Sequence, residues 1–281
     1  MITPEMLGKS ILSRLENNYD CGIVITGWKG TGKSTLAYHL AKGIDKRFDI
    51  PRNFIFDPRY EVIRERMHSN GKYYAMIIDE AIRAMYKIDW SNQMQNALVK
   101  LLTVSRKENQ AYILNIPIFT ELRTSFRNNL VNTWIHVYER GRAVVFGRDY
   151  SPYTSDVWHI EENNKAWVKN KDRGAILNFS VDDELKMLRS SNNYVGDMEF
   201  PVMPPEDEKI YLKTYEDTKK DIDDASEFTG KLKDARNLAV RALRKLHLMG
   251  LSRYKIMEIS GAAESTLYSW GVFKEDEPEV T

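Results

Sequence analysis

The sequence predicts an α/β fold, a mainly parallel sheet covered by helices, with a small all-α domain behind it. Three observations carry that expectation. From residue 1 to about 150, short apolar runs alternate with longer amphipathic stretches, the pattern of strands joined by crossover helices. A glycine-rich loop stands directly between the first of those runs and the first helix. Helical periodicity then returns at Asp234 and continues to about Gly271, after a charged interval marked by prolines.

The apolar runs at 22–26, 54–56, 74–78, 111–115 and 134–138 are each bounded by turn or helix-forming residues and predict five strands. A sixth at 144–147, reached through Glu139-Arg140-Gly141-Arg142, predicts a hairpin partner for the fifth. Helices are expected near 34–46, 61–68 and 93–106. The stretch 150–180 is polar with isolated aromatics and predicts only a weak helix and surface structure. Pro201, Pro204 and Pro205 then open a segment dense in Asp and Glu, the composition of a solvated linker with room for one charged helix over 206–224. The expected organisation is thus an α/β domain over 1–180, an acidic linker over 181–230, a helical domain over 231–274 and an acidic tail over 275–281.

A chain of 281 residues with 42% apolar content is long enough for one sizeable core and a satellite domain. The formal charge of +1 hides a segregation: Lys and Arg against Asp and Glu run 26 to 19 over 1–180, 6 to 14 over 181–230, and 9 to 3 over 231–274. A basic module therefore sits beyond an acidic interval. Cys21 is the single cysteine, which excludes an internal disulfide, a CxxC pair and a clustered Cys/His metal site. Together with the lack of a leader and of any run near the roughly 18 apolar residues a membrane helix needs, this predicts a soluble, cytoplasmic protein without a membrane segment. For a viral chain, the setting would be host cytoplasm or virion.

Gly27-Trp28-Lys29-Gly30-Thr31-Gly32-Lys33-Ser34 fits GxxxxGK[ST] at every fixed position, after an apolar strand and before a helix. Glycines let the loop wrap so that backbone N–H groups point at phosphate oxygens, and the helix adds the positive end of its dipole. Lys33 supplies a point charge for the β and γ phosphates, the Ser34 hydroxyl a ligand for Mg²⁺, and Thr35 completes the nucleotide-binding set. This makes the α/β domain a P-loop NTPase, with ATP and Mg²⁺ as its expected cofactors. The plain alternative is a glycine-rich turn with a solvated lysine.

The run Ala75-Met76-Ile77-Ile78-Asp79-Glu80 ends in two carboxylates, as expected where a buried parallel strand emerges at the ligand edge of its sheet. Asp79 is placed for the Mg²⁺ sphere. Glu80 is placed to deprotonate a water attacking the γ phosphate, so hydrolysis is the expected reaction, whereas a small-molecule kinase needs the acceptor hydroxyl there. The plain alternative is an acidic pair capping the next helix. The reading requires the tips of the first and third strands to lie side by side. Asn115 closes the fourth strand and can bond the γ phosphate or the water, or simply shape the turn before Pro117. Arg106, Arg123, Arg127 and Arg140 are candidates for an arginine acting on a neighbour's site, with Arg127 the first choice and a surface role the alternative for each.

The order of these features, with Ser105-Arg106-Lys107 before the fourth strand and an arginine-containing segment before the hairpin, resembles the FtsK-HerA branch of DNA-pumping ATPases. It is similar also to zonular-occludens-toxin-like and viral packaging ATPases, over residues 20–150. The resemblance implies phosphate and metal binding by Lys33 and Ser34, hydrolysis by Asp79 and Glu80, a sensor at Asn115 where the branch usually carries Gln, and a trans-acting Arg127. It also implies a homo-oligomeric ring, commonly a hexamer, around DNA.

At the C-terminal end, residues 234–249 read as a helix with Leu238, Ala242, Leu243 and Leu246 on its apolar side. Ser252 caps a short helix carrying Ile256 and Ile259, Gly261 turns, and a second short helix turns Leu267 and Trp270 inward. The pair resembles a helix-turn-helix of the resolvase or small-terminase kind. In that reading Ala263, Glu264, Ser265, Thr266 and Tyr268 face the major groove while Arg253 and Lys255 touch phosphates; a plain three-helix bundle for oligomerisation is the alternative. The expected function is an ATP-driven motor on double-stranded DNA, packaging or transferring a viral or mobile genome. Competing classes are an ATP-dependent assembly switch for transposition or replication and a small-molecule kinase. A full large terminase is disfavoured, because the tail shows no strand-rich domain with spaced carboxylates.

Overall fold

Six consecutive residues, Cys21–Thr26, are all buried, which a strand tolerates only when both faces of its sheet are covered. The computed structural model, which describes residues 1–57, 59–79, 108–171 and 181–273, shows what covers them. Its elements run α1 (Pro4–Glu16), β1 (Cys21–Thr26), α2 (Lys33–Ile44), α3 (Ile50–Asn53), β2 (Phe54–Ile55), α4 (Tyr60–Asn70), β3 (Ala75–Ile78) and β4 (Ala111–Asn115). They continue with α5 (Thr124–Leu130), β5 (Val131–Glu139), β6 (Arg142–Gly147), α6 (Ile160–Lys171), α7 (Val181–Arg189), β7 (Tyr194–Glu199), α8 (Pro205–Leu248), α9 (Arg253–Ser260) and α10 (Glu264–Ser269).

Among the described residues the strands form one sheet in the order β2-β3-β4-β1-β5-β6-β7. The pairs from β2 to β5 are parallel, and β6 and β7 add antiparallel. Alternate residues along each strand point to opposite faces. Ile23, Ile25, Ile77, Ile113 and Ile135 pack with Ile11, Leu15, Leu36 and Leu40 of α1 and α2 on one face. Val24, Met76, Ile78, Leu114 and Phe146 pack with Ile63, Met67, Phe126 and Trp158 on the other. The chain is therefore mixed α/β, as the sequence predicts, and the arrangement is consistent with a P-loop NTPase-like fold. Cys21 lies inside this core, where burial pushes its thiol up to about 12 and leaves it unreactive. No helix among the described residues is long and apolar enough to cross a membrane.

Two compact units divide the chain, Met1–Thr218 and Lys219–Thr281. The second contains the later part of α8 with α9 and α10, around a small core of Ile256, Leu267, Val272 and Phe273.

Several expectations need correcting. The interval 181–230 is not a linker throughout, because α7 lies in it and β7 pairs with β6 as an edge strand of the main sheet. Nor does a separate helix begin at Asp234, since α8 runs unbroken over Pro205–Leu248. Leu238 and Ile259, expected on apolar faces, are 71% and 60% exposed, and Ala242 is exposed as well; Leu243 does pack against the small core as expected, joined by Val240. The helix α1, capped by the Thr3 hydroxyl accepting from Met6 N at 3.2 Å, has no counterpart among the expected elements. The helix expected over 93–106 lies outside the described residues.

The β7 assignment can be tested at Met198, 1% exposed within the main core. Met198→Ala should cost about 2–5 kcal/mol in chemical unfolding, whereas a residue in a solvated linker would move stability by no more than about 0.5 kcal/mol.

Candidate functional site: a phosphate loop facing a buried carboxylate

Where β1 ends, Gly27 follows at φ +144°, and a Cβ there would stand 2.4 Å from the Val137 carbonyl oxygen of β5. Only glycine lets the loop leave the strand this close to its neighbour. Gly32, at φ 98°, is the N-cap of α2 and brings no side-chain cap. The first-turn N–H groups of Lys33, Ser34 and Thr35 thus have no helical acceptor and stand at the positive end of the helix dipole. Trp28, Lys29 and Gly30 are exposed along the loop, and the Thr31 hydroxyl ties it by donating to the Trp28 carbonyl at 2.9 Å. The Lys33 ammonium donates back to the carbonyls of Gly27 at 2.8 Å and Trp28 at 2.9 Å. Burial lowers its pKa from the ordinary lysine value, opposed by the charge of Asp79.

Asp79, just past β3 and 6% exposed, is held by its own N–H donating to the Ile55 carbonyl at 3.0 Å. Its Oδ2 accepts from the Ser34 hydroxyl at 2.9 Å and from the Tyr211 hydroxyl at 2.6 Å. Its Oδ1 accepts from the Asn115 amide at 2.9 Å. The tips of the first and third strands are not neighbours, contrary to expectation: β4 lies between β1 and β3. Two strand spacings are about 9–10 Å, and the gap closes through side chains, Ser34 from α2 and Asn115 from the tip of β4.

These residues fit a Mg-nucleotide. Ser34 and Asp79 offer hard oxygen donors, the kind Mg²⁺ takes from one or two protein groups, with phosphate oxygens and water completing the sphere. Among the described residues no group of three or more His, Cys, Asp or Glu forms a self-sufficient metal cage. Asn115 Oδ1 is buried and has no hydrogen-bond partner among the described residues, an acceptor suited to a water or ligand donor. Glu80 and Arg106 lie outside the described residues.

The arginine candidates separate. Arg127 folds against its own chain, with its guanidinium 5.8 Å from the centre of the Phe119 ring and bonded to the Thr124 hydroxyl at 3.2 Å; burial lowers its pKa, opposed by Asp156. Arg123 is half-buried, and Arg140 is exposed at the tip of the β5–β6 hairpin. In the second unit, Arg253, Lys255, Ser265 and Tyr268 are exposed and Thr266 is half-buried. Arg253 lies over the rings of Tyr268, at 5.3 Å, and Phe273, at 5.6 Å.

Two features escape a reading of motifs. Tyr211, on α8, reaches the Asp79 carboxylate; burial first, then the charge of Asp79, drives its phenol pKa far upward, so it stays a donor. Its one signal in the sequence is the aromatic pair Tyr211 and Tyr215 at helical spacing among charged residues. The second is a relay at the entry to the loop. Trp134 Nε1 donates to Thr26 Oγ1 at 2.8 Å, Thr26 Oγ1 meets His136 Nδ1 at 2.8 Å, and His136 Nε2 lies 3.6 Å from Glu184. An indole N–H only donates, so Thr26 Oγ1 is its acceptor, and the same oxygen lies 3.5 Å from the Ile135 carbonyl.

Gly27→Ala should abolish nucleotide binding in a titration with a fluorescent ATP analogue, because its Cβ has no room beside Val137. Retained affinity would refute this close approach of loop and strand.

No family model matches the chain, and no curated protein matches it. Among solved structures it is similar to the N-terminal domain of zonular occludens toxin from Neisseria meningitidis, at 15% sequence identity and a TM-score of 0.32, over 46% of this chain and 83% of that one.

Proposed function

We propose that the chain binds Mg-ATP on the loop from Gly27 to Thr35 and hydrolyses it. The observation that carries this reading is the 2.9 Å bond between Ser34 and Asp79, which joins the loop to a buried carboxylate. Bound Mg²⁺ supplies charge neutralisation for the β and γ phosphates. The chain's own residues do the rest. The first-turn N–H groups and Lys33 hold phosphate oxygens, Ser34 and Asp79 hold the metal, and the Asn115 carbonyl oxygen accepts from the attacking water. Glu80 takes the role of base, an assignment resting on its place in the sequence directly after Asp79.

Glu80→Gln should leave ATP binding within about threefold of the wild type while removing most turnover, a loss of about 10²–10⁴ for a missing general base. Lys33→Ala should impair both. Steady-state phosphate release beside equilibrium nucleotide binding separates the two outcomes, and normal turnover in the Glu80 variant would overturn its assignment.

The wider reading is a motor on double-stranded DNA, working as a homo-oligomeric ring to package or transfer a genome. Its support is the order of motifs in the sequence and the form of the second unit. There α9 begins at a Ser252 cap that accepts from Lys255 N at 3.4 Å, Gly261 turns at φ 63°, and α10 follows. Two short helices joined by a three-residue glycine turn have the connectivity that a helix-turn-helix reading requires, in a segment carrying 9 basic against 3 acidic residues over 231–274. An assembly switch is the competing reading; displacement of a triplex-forming strand during ATP turnover distinguishes a motor from a switch, and stimulation by nucleosides rather than DNA would point to a kinase. Lys255→Ala is the cleaner probe of DNA contact, because Arg253 also packs on Tyr268 and Phe273. It should weaken DNA binding and lower the salt dependence by about one phosphate contact; unchanged binding counts against this module as the DNA contact.

A further inference from the structure

The Asp79 oxygen that faces Ser34 also accepts a hydrogen bond from Tyr211, and Tyr211 belongs to a segment tied down on both sides of the loop. On one side its ring meets Phe54 and Phe56 edge-on, at 5.2 and 5.4 Å between centres, and Tyr215 meets Phe56 at 5.4 Å. On the other, Tyr38 of α2 donates to Asp207, with Lys42 3.9 Å from the same carboxylate. His39 reaches the Pro201 carbonyl at 3.1 Å, and the Phe200 ring would lie 3.4 Å from a Cβ on Gly32. The Ser34 hydroxyl donates to the same Asp79 oxygen. The phenol therefore shares its acceptor with the other group assigned to the metal.

Resting on the nucleotide-site reading above, we propose that Tyr211 is a latch on the metal site: its hydroxyl competes with Mg²⁺ for Asp79 Oδ2, so that loading metal with nucleotide displaces the Tyr211 end of α8 from Asp79. An octahedral Mg²⁺ holds its oxygens at about 2.0–2.1 Å and accepts little distortion. A donor already bonded at 2.6 Å to the oxygen that also faces Ser34 stands where the metal must approach. Loading therefore costs the bond between Tyr211 and Asp79. The latch makes nucleotide binding without metal indifferent to Tyr211 and binding with metal sensitive to it.

Tyr211→Phe in the full chain removes only the hydroxyl and keeps the ring on Phe54 and Phe56. A fluorescent ATP analogue is titrated without metal, and then at fixed nucleotide with increasing Mg²⁺. The expected result is metal-free affinity within about twofold of the wild type and a half-maximal Mg²⁺ concentration about tenfold lower, tenfold being about 1.4 kcal/mol. Thermal unfolding gives a second readout: the variant should melt lower without ligand yet gain more on adding Mg-nucleotide, because ligand affinity adds to stability. An unchanged or higher Mg²⁺ requirement overturns the latch, the higher value meaning that Tyr211 merely positions Asp79. If the wild type binds no nucleotide in either titration, the nucleotide-site reading falls, and the latch with it.

Discussion

The carboxylate of Asp79 is the constraint around which the ligand edge of the sheet is arranged. Taking an ionised carboxylate out of water costs several kcal/mol unless donors replace the lost hydration. Asp79 is 6% exposed, and three elements remote in sequence each send it a donor: Ser34 from α2, Asn115 from β4 and Tyr211 from α8. A hydrogen bond to a charged group is worth about 1.5–3 kcal/mol, and losing one leaves the anion under-satisfied. The same concentration of negative charge and oriented donors makes the place useful. Hydroxyl and amide donors carry no net charge of their own, and a cation beside Ser34 meets the carboxylate in a medium that screens charge poorly.

Strand order decides how those donors arrive. Had β3 paired directly with β1, the side chain at the tip of β4 would not stand between Asp79 and the loop. With β4 between them, pairing in parallel with both, the tip of β4 becomes the floor of the site, and Asn115 fills it. One face of its amide is committed to Asp79, and the carbonyl oxygen on the other is buried with no partner among the described residues. A residue held by one partner and open on the other side is suited to report what occupies the site. The donor roles follow without ambiguity, because a carboxylate can only accept.

Much of this was legible in the sequence, and what was not has physical causes. The unit formed by β1, the loop and α2 declares itself because a strand buried on both faces is short of charged and strongly polar residues and the loop's chemistry demands fixed residues. The run 111–115 matches β4 residue for residue. The neighbour relations of the strands were illegible, since crossover lengths do not say which strands pair. β7 was hidden by its place at the edge: in Tyr194–Glu199 only Met198 is fully buried, so five of its six residues escape the demand that made β1 obvious. Leu238 misled in the opposite way, since a leucine at helical spacing still faces solvent when the neighbouring element lies on another side of the helix.

The acidic stretch after Pro204 shows how composition and placement diverge. Counted as charge, it reads as a solvated tether. Placed in space, Pro205 opens α8, and Glu206, Asp207 and Glu208 occupy its first turn, where carboxylates are stabilised by the positive end of the helix dipole. Asp207 is bonded to Tyr38 besides. Tyr211, Thr214, Tyr215 and Thr218 then recur at intervals of three and four and are the half-buried positions of the next two turns; this is a narrow amphipathic stripe whose hydroxyls conceal it from any hydrophobicity count. A helix built this way rests on Phe54, Phe56, Asp79 and Tyr38 through rings, hydroxyls and one carboxylate. Such contacts are directional and exchangeable for water, unlike the packing that fixes α1 and α2 to the sheet. The part of Met1–Thr218 that touches the buried Asp79 carboxylate is thus held to the rest by directional contacts as much as by apolar ones.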